Sequence, residues 1–561
     1  MLVLKFGGTS VANAQNIKLV AEIVQQKKDL QKTVVVVSAC SGVTDQLVLL
    51  THLVSDKNKE YKIKFSNLKE QHDTVIQELD LVHDEKLQKV IHKHFKHLET
   101  LLEGCFLLGD VQPKIYDAII GFGELLSSTI ISSFFAQKFD IENPFVDSRS
   151  LIVTDENFGN ANVFYPETYQ HVEDYFQNSE KSLFVLPGFI ASSRNGSTTT
   201  LGRGGSDYTA AIVANGVSAD SLEIWTDVSG MYAANPKIVK QAQPIASISY
   251  QEAMELSHFG AKVLYPPTIQ PALKKQIPIW IKNTFAPNEN GTLISNENAT
   301  PQQSVKGISN IDKIALLTLE GGGMVGVSGI AKKLFETLSL HNINVIFITQ
   351  ASSEHSICIG ILENQAEKAK KYIDEVFHKE ITHGQLNACQ LEKDLSIIAL
   401  VGDQMKNHQG LSGKMFSTLG RNNVNVRAIA QGASERNISA VINSKDVVKA
   451  LNALHEVFFE TVTKQLNLFV VGTGNVGSKF IEQITNQQEF LKQNLNISVR
   501  ILGLSNSRKM HFDKEGIDLK NWKETLENGK KASLAEFTSK IKEINSIFKQ
   551  RMCSDNDSSL A

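Results

Sequence analysis

The sequence predicts an α/β protein of several domains, and three observations carry that expectation. Short β-branched runs alternate with helical segments over residues 1–295, an ungapped internal repeat follows, and near Leu466 an apolar strand runs into a Gly-x-Gly-x-x-Gly turn and a helix. The length of 561 residues corresponds to about four domains at ~150 residues each.

Composition removes several function classes. Lys and Arg number 57 against 60 Asp and Glu, a net charge of −3 that offers no basic footprint for nucleic acid. Charged residues at 21% and hydrophobic ones at 42% are a globular balance. Apolar runs such as Val34–Val37 and Leu183–Ile190 fall short of the ~20 residues a membrane span needs. Five cysteines without CxxC spacing suit free thiols in a reducing compartment. The first residues read as a strand and lack the pattern of a secretory leader. A cytoplasmic protein without a membrane partner is the expectation.

In the first stretch, the strands expected are Leu2–Phe6, Thr33–Ser38, Leu183–Ile190, Leu222–Thr226 and Ile277–Asn283, each ending in Gly, Ser or Thr. Alternation with helices implies a largely parallel sheet whose strand ends carry ligands. Between Asp56 and Gly109 the pattern predicts two amphipathic helices forming a cap. His92, His94 and His97 there do not share one helical face, so a metal site is not expected; a solvated helix with scattered histidines is the plainer reading.

Residues 284–302 have loop composition and mark a boundary. Beyond it, 329–357 aligns without gaps on 410–438: Phe335 matches Phe416, Asn344 matches Asn425, Gln350 matches Gln431, and Glu354 matches Glu435. Each copy reads as strand, helix, Asn-x-Asn turn, strand and loop. Two copies are too few for a solenoid, so a pair of small β-α-β modules packed side by side is expected, over 303–462. Then Leu466 opens a strand that enters Gly472-x-Gly474-x-x-Gly477 and a helix, and Ile497–Leu504 supplies a second strand, the start of a dinucleotide-binding βαβ unit. Residues 466–547 contain that unit, and 548–561 read as a disordered polar tail.

Five turns in the first stretch favour anions. Lys5-Phe6-Gly7-Gly8-Thr9-Ser10 follows the first strand; its glycines let N–H groups approach phosphate and Lys5 adds a point charge, although a tight turn with a surface lysine is the simpler account. Ser38–Thr44 ends the second strand in hydroxyls and a glycine. Gly121-Phe122-Gly123-Glu124 opens a helix, where Glu124 also complements the helix dipole. In Gly202-Arg203-Gly204-Gly205-Ser206-Asp207, Arg203 offers a fork for a carboxylate, and Asp207 near a helix start can orient lysines. Thr226-Asp227-Val228-Ser229-Gly230-Met231-Tyr232 follows another strand, and Lys262 adds a cation. Five such turns at strand ends of one sheet are hard to explain as packing.

KFGGTS, SxxSGVT, GFGE, GRGGSD, TDVSGMY and GAKVLYPPT, in this order, resemble the aspartate kinase branch of the amino-acid kinase family over residues 1–295. The repeat resembles paired ACT-type regulatory modules, and 466–545 is similar to the start of homoserine dehydrogenase. Taken whole, the chain resembles the bifunctional aspartokinase–homoserine dehydrogenases, cut short inside the second enzyme. The resemblance implies a carbamate-kinase-like three-layer sandwich, two βαββαβ modules and a partial Rossmann unit. It implies transfer of phosphate from ATP, carried with Mg²⁺, to the aspartate side chain, the first step towards lysine, threonine and methionine. An aspartate carboxylate with pKa about 3.9 is already an ionised nucleophile, so no general base is needed. Positioning and charge neutralisation remain.

On the resemblance, Lys5, Asp207 and Lys262 are catalytic; Glu124 binds the substrate ammonium, and Thr44, Arg203 and Ser206 its carboxylate side. Gly7, Gly8, Thr226, Asp227, Tyr232 and Lys237 line the nucleotide site, with no metal held by the protein itself. Asn235 and Lys237 stand where many members have Asp and Arg, and Tyr265 where His is common. Asn344, Gln350, Asn425 and Gln431 are the allosteric candidates, with threonine the expected inhibitor and lysine the alternative; the asparagines are also explained by tolerance of left-handed turns. Gly472, Gly474, Gly477 and Arg508 would hold a dinucleotide, Arg508 favouring NADP, but dehydrogenase activity is not expected. A homo-oligomer is expected. The rival classes are another amino-acid kinase, such as one acting on glutamate, and a non-catalytic amino-acid sensor.

Overall fold

The computed structural model describes residues 1–258, 264–296, 304–350, 355–403, 405, 408–432, 436–459, 464–495, 497–513 and 516–544. They belong to two compact units, Met1–Phe458 and the stretch from Phe459 onward. The kinase and regulatory stretches both lie within the first unit.

In the first unit, β1 (Leu2–Phe6), α1 (Ala14–Lys28) and β2 (Thr33–Val37) precede α2 (Val43–Ser55), α3 (Tyr61–Glu78), α4 (Glu85–Leu108), α5 (Pro113–Ile120) and α6 (Phe122–Phe139). Next come β3 (Val153–Thr154), α7 (Tyr165–Gln177), β4 (Leu183–Pro187), β5 (Ile190–Ser193), β6 (Thr198–Thr200), α8 (Gly205–Gly216) and β7 (Ser221–Thr226). Then follow β8 (Ser247–Ile248), α9 (Tyr250–His258), a 3-10 turn at Pro266–Ile269, α10 (Gln270–Lys274), β9 (Ile279–Asn283) and β10 (Thr292–Ile294). The main sheet runs β4-β2-β1-β7-β9-β10-β8, parallel except where β10 meets β9.

Strand periodicity divides its faces. Leu2, Leu4 and Phe6 share a core with α1 and α6, so Val3 and Lys5 point to the other face, where α8 packs on β1, β2 and β7. With both faces covered, β2 is a run of five buried residues, TVVVV, as a buried parallel strand requires. Asn13 caps α1, its Oδ1 accepting from Asn16 N at 2.9 Å, a bond worth about 1 kcal/mol. The two helices expected between Asp56 and Gly109 are α3 and α4, and they pack against α2, with α4 also against α6. The bland account of their histidines is corrected in one respect: the rings of His94 and His97 meet the Phe122 ring edge-on, and burial pushes His94 down to about 4.

Two further expectations change. Leu183–Ile190 is not one strand: the chain breaks at Gly188-Phe189, where Phe189 has φ 67°, and β5 continues in a separate three-stranded sheet. The break lets α8 approach, since a Cβ on Gly188 would lie 2.6 Å from that of Ser206. The longest apolar stretch is Pro113–Phe139, long and apolar enough to cross a membrane, but 94% of its apolar window is buried; it is a core helix pair.

The regulatory part forms one six-stranded sheet in which the strands of the two expected modules lie side by side. Its elements are β11 (Gly307–Glu320), α11 (Ile330–Leu340), β12 (Phe347–Gln350), β13 (Ser356–Leu362), α12 (Ala366–Val376), α13 (His378–Thr382), β14 (Gln390–Val401), α14 (Leu411–Arg421), β15 (Val426–Gln431), β16 (Asn437–Asn443) and α15 (Val447–Phe459). Sheet order is β12-β13-β11-β14-β16-β15. The long strands β11 and β14 each serve both modules: the second half of β11 pairs with β13, while its first half pairs with the end of β14, which pairs with β16. The first module is thus threaded into the second. The change of partner coincides with register shifts in β11 and with left-handed residues Lys313 (φ 58°) and Asp394 (φ 59°), which occupy equivalent repeat positions.

The second unit holds β17 (Lys464–Val471), α16 (Asn475–Leu495), β18 (Ile497–Ser505), β19 (Lys509–Phe512), α17 (Trp522–Glu527) and β20 (Lys530–Lys531). β17 and β18 are parallel, as the expected βαβ unit requires, and β19 and β20 extend the sheet antiparallel. Gly472 has φ 93°, and a Cβ on Gly477 would lie 1.9 Å from the Gly472 carbonyl oxygen, so the turn needs glycine at both. Arg508 is exposed. The tail 548–561 lies outside the described residues.

Candidate active site

The outward position of Lys5 on β1 and the start of α8 bring two distant motifs together. Lys5 Nζ lies 2.6 Å from Asp207 Oδ1, with the two side chains 11% and 13% exposed. Helix α8 begins at Gly205, so Ser206 and Asp207 stand in its first turn where a carboxylate meets the positive helix end. Thr209 fixes this turn, accepting from Phe189 N at 3.0 Å and donating to the Gly205 carbonyl at 3.0 Å.

The Gly-rich loop after β1 is held by its neighbours. Gly7 N–H donates to the Trp225 carbonyl at 3.1 Å, so the expectation that Gly7 supplies a phosphate donor is corrected: that N–H serves the β1–β7 junction. Gly8 N–H has no partner among the described residues, and a Cβ there would lie 2.9 Å from the Ala39 carbonyl oxygen. Ser10 Oγ and Thr284 Oγ1 are 2.7 Å apart, tying the loop to the end of β9; neither was singled out from sequence.

Glu124 is 4% exposed, in the first turn of α6, and near enough for the Lys5 charge to act on it. Its turn does not end a strand, as the sequence suggested, but joins α5 to α6. Ser127 Oγ donates to the Ser38 carbonyl at 2.8 Å, fastening α6 to the loop after β2. Burial pushes the Glu124 carboxyl up to about 8, against the lowering effects of the Ala39 and Glu124 amides and the Lys5 charge. Its Oε2 is buried without a partner among the described residues. A buried carboxylate oxygen without a donor costs free energy until a cation or donor reaches it. Cys40, in the same loop, is buried, and burial raises its thiol to about 12, with the Glu124 charge contributing. It is no thiolate nucleophile. Thr44 lies in the first turn of α2, half-buried.

Arg203 is exposed, its guanidinium 5.6 Å from the centre of the Tyr265 ring. Gly204 has φ 71°, and a Cβ there would fall 2.9 Å from Tyr265 Cβ, so glycine permits the contact between this loop and the segment after 263. On the nucleotide side, Thr226 Oγ1 bonds Asp227 Oδ1 at 3.1 Å, and Asn283 Nδ2 donates to Ser229 Oγ at 2.9 Å. Tyr232 is half-buried and Lys237 exposed; Asn235 Oδ1 accepts from Lys237 N at 3.1 Å, a turn-forming role. Lys262, Glu354 and Glu435 lie outside the described residues.

In the regulatory sheet, Gln350 and Gln431 end β12 and β15, the two end strands, which also approach each other. Asn344 and Asn425 are exposed, but left-handed tolerance does not explain them. The residues with positive φ are Asn342 (54°) and Asn423 (52°), two positions earlier.

The model of the amino acid kinase family matches residues 1–283, and that of the ACT domain matches 317–377 and 398–458. The chain belongs to the amino acid kinase family. Within it the aspartokinases are its relatives. It is 30% identical over 472 residues to the lysine-sensitive aspartokinase 3 of Escherichia coli, covering 82% of this chain and 99% of that one. It is 35% identical over 548 residues to the chloroplastic bifunctional aspartokinase/homoserine dehydrogenase 1 of Arabidopsis thaliana, covering 96% of this chain. The chain spans about 60% of the length of that relative. The solved E. coli aspartokinase III in complex with aspartate and ADP matches with a TM-score of 0.69 at 28% identity, over 82% of this chain and all of that one. A second crystal structure of that enzyme holds lysine and aspartate, with a TM-score of 0.67 at 29% identity.

Proposed function

We propose that this aspartokinase relative transfers the terminal phosphoryl group of ATP to the side-chain carboxylate of L-aspartate, giving 4-phospho-L-aspartate. The observation that carries the reading is the convergence of the Lys5–Asp207 pair with buried, half-partnered Glu124, which meets the needs of an amino acid bearing an ammonium and an anionic nucleophile. The ammonium would pair with Glu124 Oε2. Arg203, steadied by Tyr265, would grip the α-carboxylate, with Thr44 and Ser206 beside it. Lys5, held by Asp207, would face the anion being transferred.

ATP would lie along the loop at Gly8 and the end of β7 with the segment after it, which carry Thr226, Asp227 and Tyr232; Mg²⁺ would arrive on its phosphates and neutralise their charge. The solved relative with aspartate and ADP supports this pairing of ligands. An amino acid would regulate the enzyme through the ACT part, with Gln350 and Gln431 as contacts and threonine as the effector; a lysine complex is known for the E. coli relative. Exposed Ile348 (52%) and Ile429 (46%), at equivalent repeat positions, support association with a second copy. For the second unit the proposal is confined to a dinucleotide phosphate at Gly472–Gly477, with Arg508 reaching a 2′-phosphate of NADP. Free thiols at Cys40, Cys105, Cys358 and Cys389 support a reducing, cytoplasmic setting.

The test is ATP- and Mg²⁺-dependent formation of aspartyl hydroxamate in the presence of hydroxylamine. Product from aspartate but not glutamate supports the reading, and suppression by millimolar threonine assigns the regulator. Absence of product from folded protein would favour the amino-acid sensor instead.

A further inference from the structure

The helix α9 begins with a capping box, Ser249-x-x-Glu252: Ser249 Oγ accepts from Glu252 N at 3.1 Å, and Glu252 Oε2 accepts from Ser249 N at 3.0 Å. Such a box ordinarily serves its own helix. Here Glu252 is 2% exposed, and its second oxygen, Oε1, accepts from the backbone N–H of Asp403 at 2.8 Å. Asp403 follows β14 in the second regulatory module, and its carboxylate also takes the Ser249 hydroxyl and the Arg436 guanidinium at 3.0 Å. Both side chains of the cap are therefore shared with the regulatory sheet.

The rest of α9 repeats the pattern. Glu255 Oε2 accepts from Asn437 Nδ2 at 2.8 Å, the Leu256 carbonyl accepts from Ser309 Oγ at 3.3 Å, and a Cβ on Gly307 would collide with Leu256 at 2.7 Å. On its other side α9 reaches the site. Gln270 Nε2 contacts Met254 Sδ at 3.4 Å, and the turn Pro266–Ile269 packs on both α9 and α8. That turn is closed by Thr268 N bonding the Tyr265 carbonyl at 2.9 Å, and the Tyr265 ring lies against Arg203.

We propose that Glu252 is the positioning residue through which the second regulatory module sets the Arg203 end of the substrate site. The inference rests on the proposed role of Arg203 in holding the aspartate α-carboxylate. One carboxylate bonds the N-terminus of the helix and the end of a regulatory strand, so a displacement of the strand end at Asp403 is passed to α9, to the Pro266–Ile269 turn and to Tyr265. Packed interfaces of this kind move as units.

Two variants test it in the whole chain. Glu252→Asp keeps a carboxylate for the helix cap but shortens the reach to Asp403, and Glu252→Gln turns one acceptor into a donor. Each is expected to raise KM for aspartate about tenfold while KM for ATP stays within about twofold, because only the carboxylate end of the site moves. Amide exchange is expected to accelerate at Asp403 and at Thr268. Glu255→Gln, whose amide oxygen still accepts from Asn437, is the control expected to behave as wild type. Glu252→Asp with unchanged KM for aspartate, or with both KM values raised alike, would leave Glu252 a helix cap and overturn the inference. If the wild-type chain forms no aspartyl hydroxamate, the proposed function falls separately. Exchange then decides this inference: faster exchange at both Asp403 and Thr268 supports it, and faster exchange at Asp403 alone overturns it.

Discussion

Lys5 Nζ and Asp207 Oδ1 lie 2.6 Å apart, joining the end of β1 to the first turn of α8 across the sequence distance between the first and fourth glycine-rich motifs. The pair is screened from water on most sides, and the contact costs the lysine its rotameric freedom. Replacing Asp207 by Asn preserves shape and removes the anion that orients the lysine. We expect kcat/KM in the hydroxamate assay to fall about a hundredfold or more. Stability in urea should drop by only about 1–3 kcal/mol, the scale of one charged hydrogen bond lost. A variant with near-normal turnover would show that Lys5 needs no such partner.

Glu124 makes stability depend on pH. Its carboxyl is raised from an ordinary 4.5 to about 8 by burial. Below pH 4.5 both folded and unfolded states hold the proton; between 4.5 and 8 the unfolded chain releases it while the folded chain does not. Stability from this group is therefore complete below 4.5, falls as pH rises, and is lost above 8. The total is on the order of 5 kcal/mol at most. Glu124→Gln should flatten the unfolding profile between these limits, gaining on wild type at alkaline pH. Aspartate, by placing its ammonium at Oε2, should expel about one proton on binding near pH 7. Calorimetry in buffers of different ionisation heat measures that release, and its absence would mean that Glu124 binds as a neutral acid.

Tyr265 supports Arg203 through its ring face, with the guanidinium 5.6 Å from the ring centre. Both groups reach solvent, so the interaction is worth about 0.5–1 kcal/mol. Tyr265→Phe keeps the ring and should leave KM for aspartate within about twofold. Tyr265→Ala should raise it about three- to fivefold, with kcat little changed. Equal effects of the two variants would assign the role to the hydroxyl instead.

The sequence made the local chemistry legible and left the long-range geometry open. Lys5, Asp207 and Glu124 were marked by glycine-rich turns and helix starts, features set by a few adjacent residues. What those turns attach to was not legible, because it depends on pairing partners elsewhere in the chain. Gly7 looked like a phosphate donor until its N–H was found on the Trp225 carbonyl. The strand break at Phe189 was hidden because every residue from Leu183 to Leu186 and Ile190 is buried, leaving no periodicity to interrupt. The repeat revealed two modules but not that the first is threaded into the second, since strand sharing leaves no mark on side-chain type. Tyr265 and Glu252 act through contacts with Arg203 and Asp403 that no spacing rule anticipates.

That strand sharing turns on Lys313 and Asp394, which hold φ 58° and 59° at equivalent repeat positions. Both are exposed, so their side chains contribute little packing and the backbone conformation dominates their energetics. A left-handed non-glycine residue costs about 1–2 kcal/mol, and glycine removes that cost while adding about 0.5–1 kcal/mol of unfolded-state entropy. Lys313→Gly and Asp394→Gly should therefore each stabilise by about 0.5–1 kcal/mol. Asp394→Val, with a branched Cβ in the same conformation, should destabilise by about 1–2 kcal/mol. Urea unfolding followed by far-UV circular dichroism gives the comparison. If glycine destabilises at both positions, the left-handed turns are not what bends the shared strands from one module into the other, and the register shifts beside Ile314 would have to do so alone.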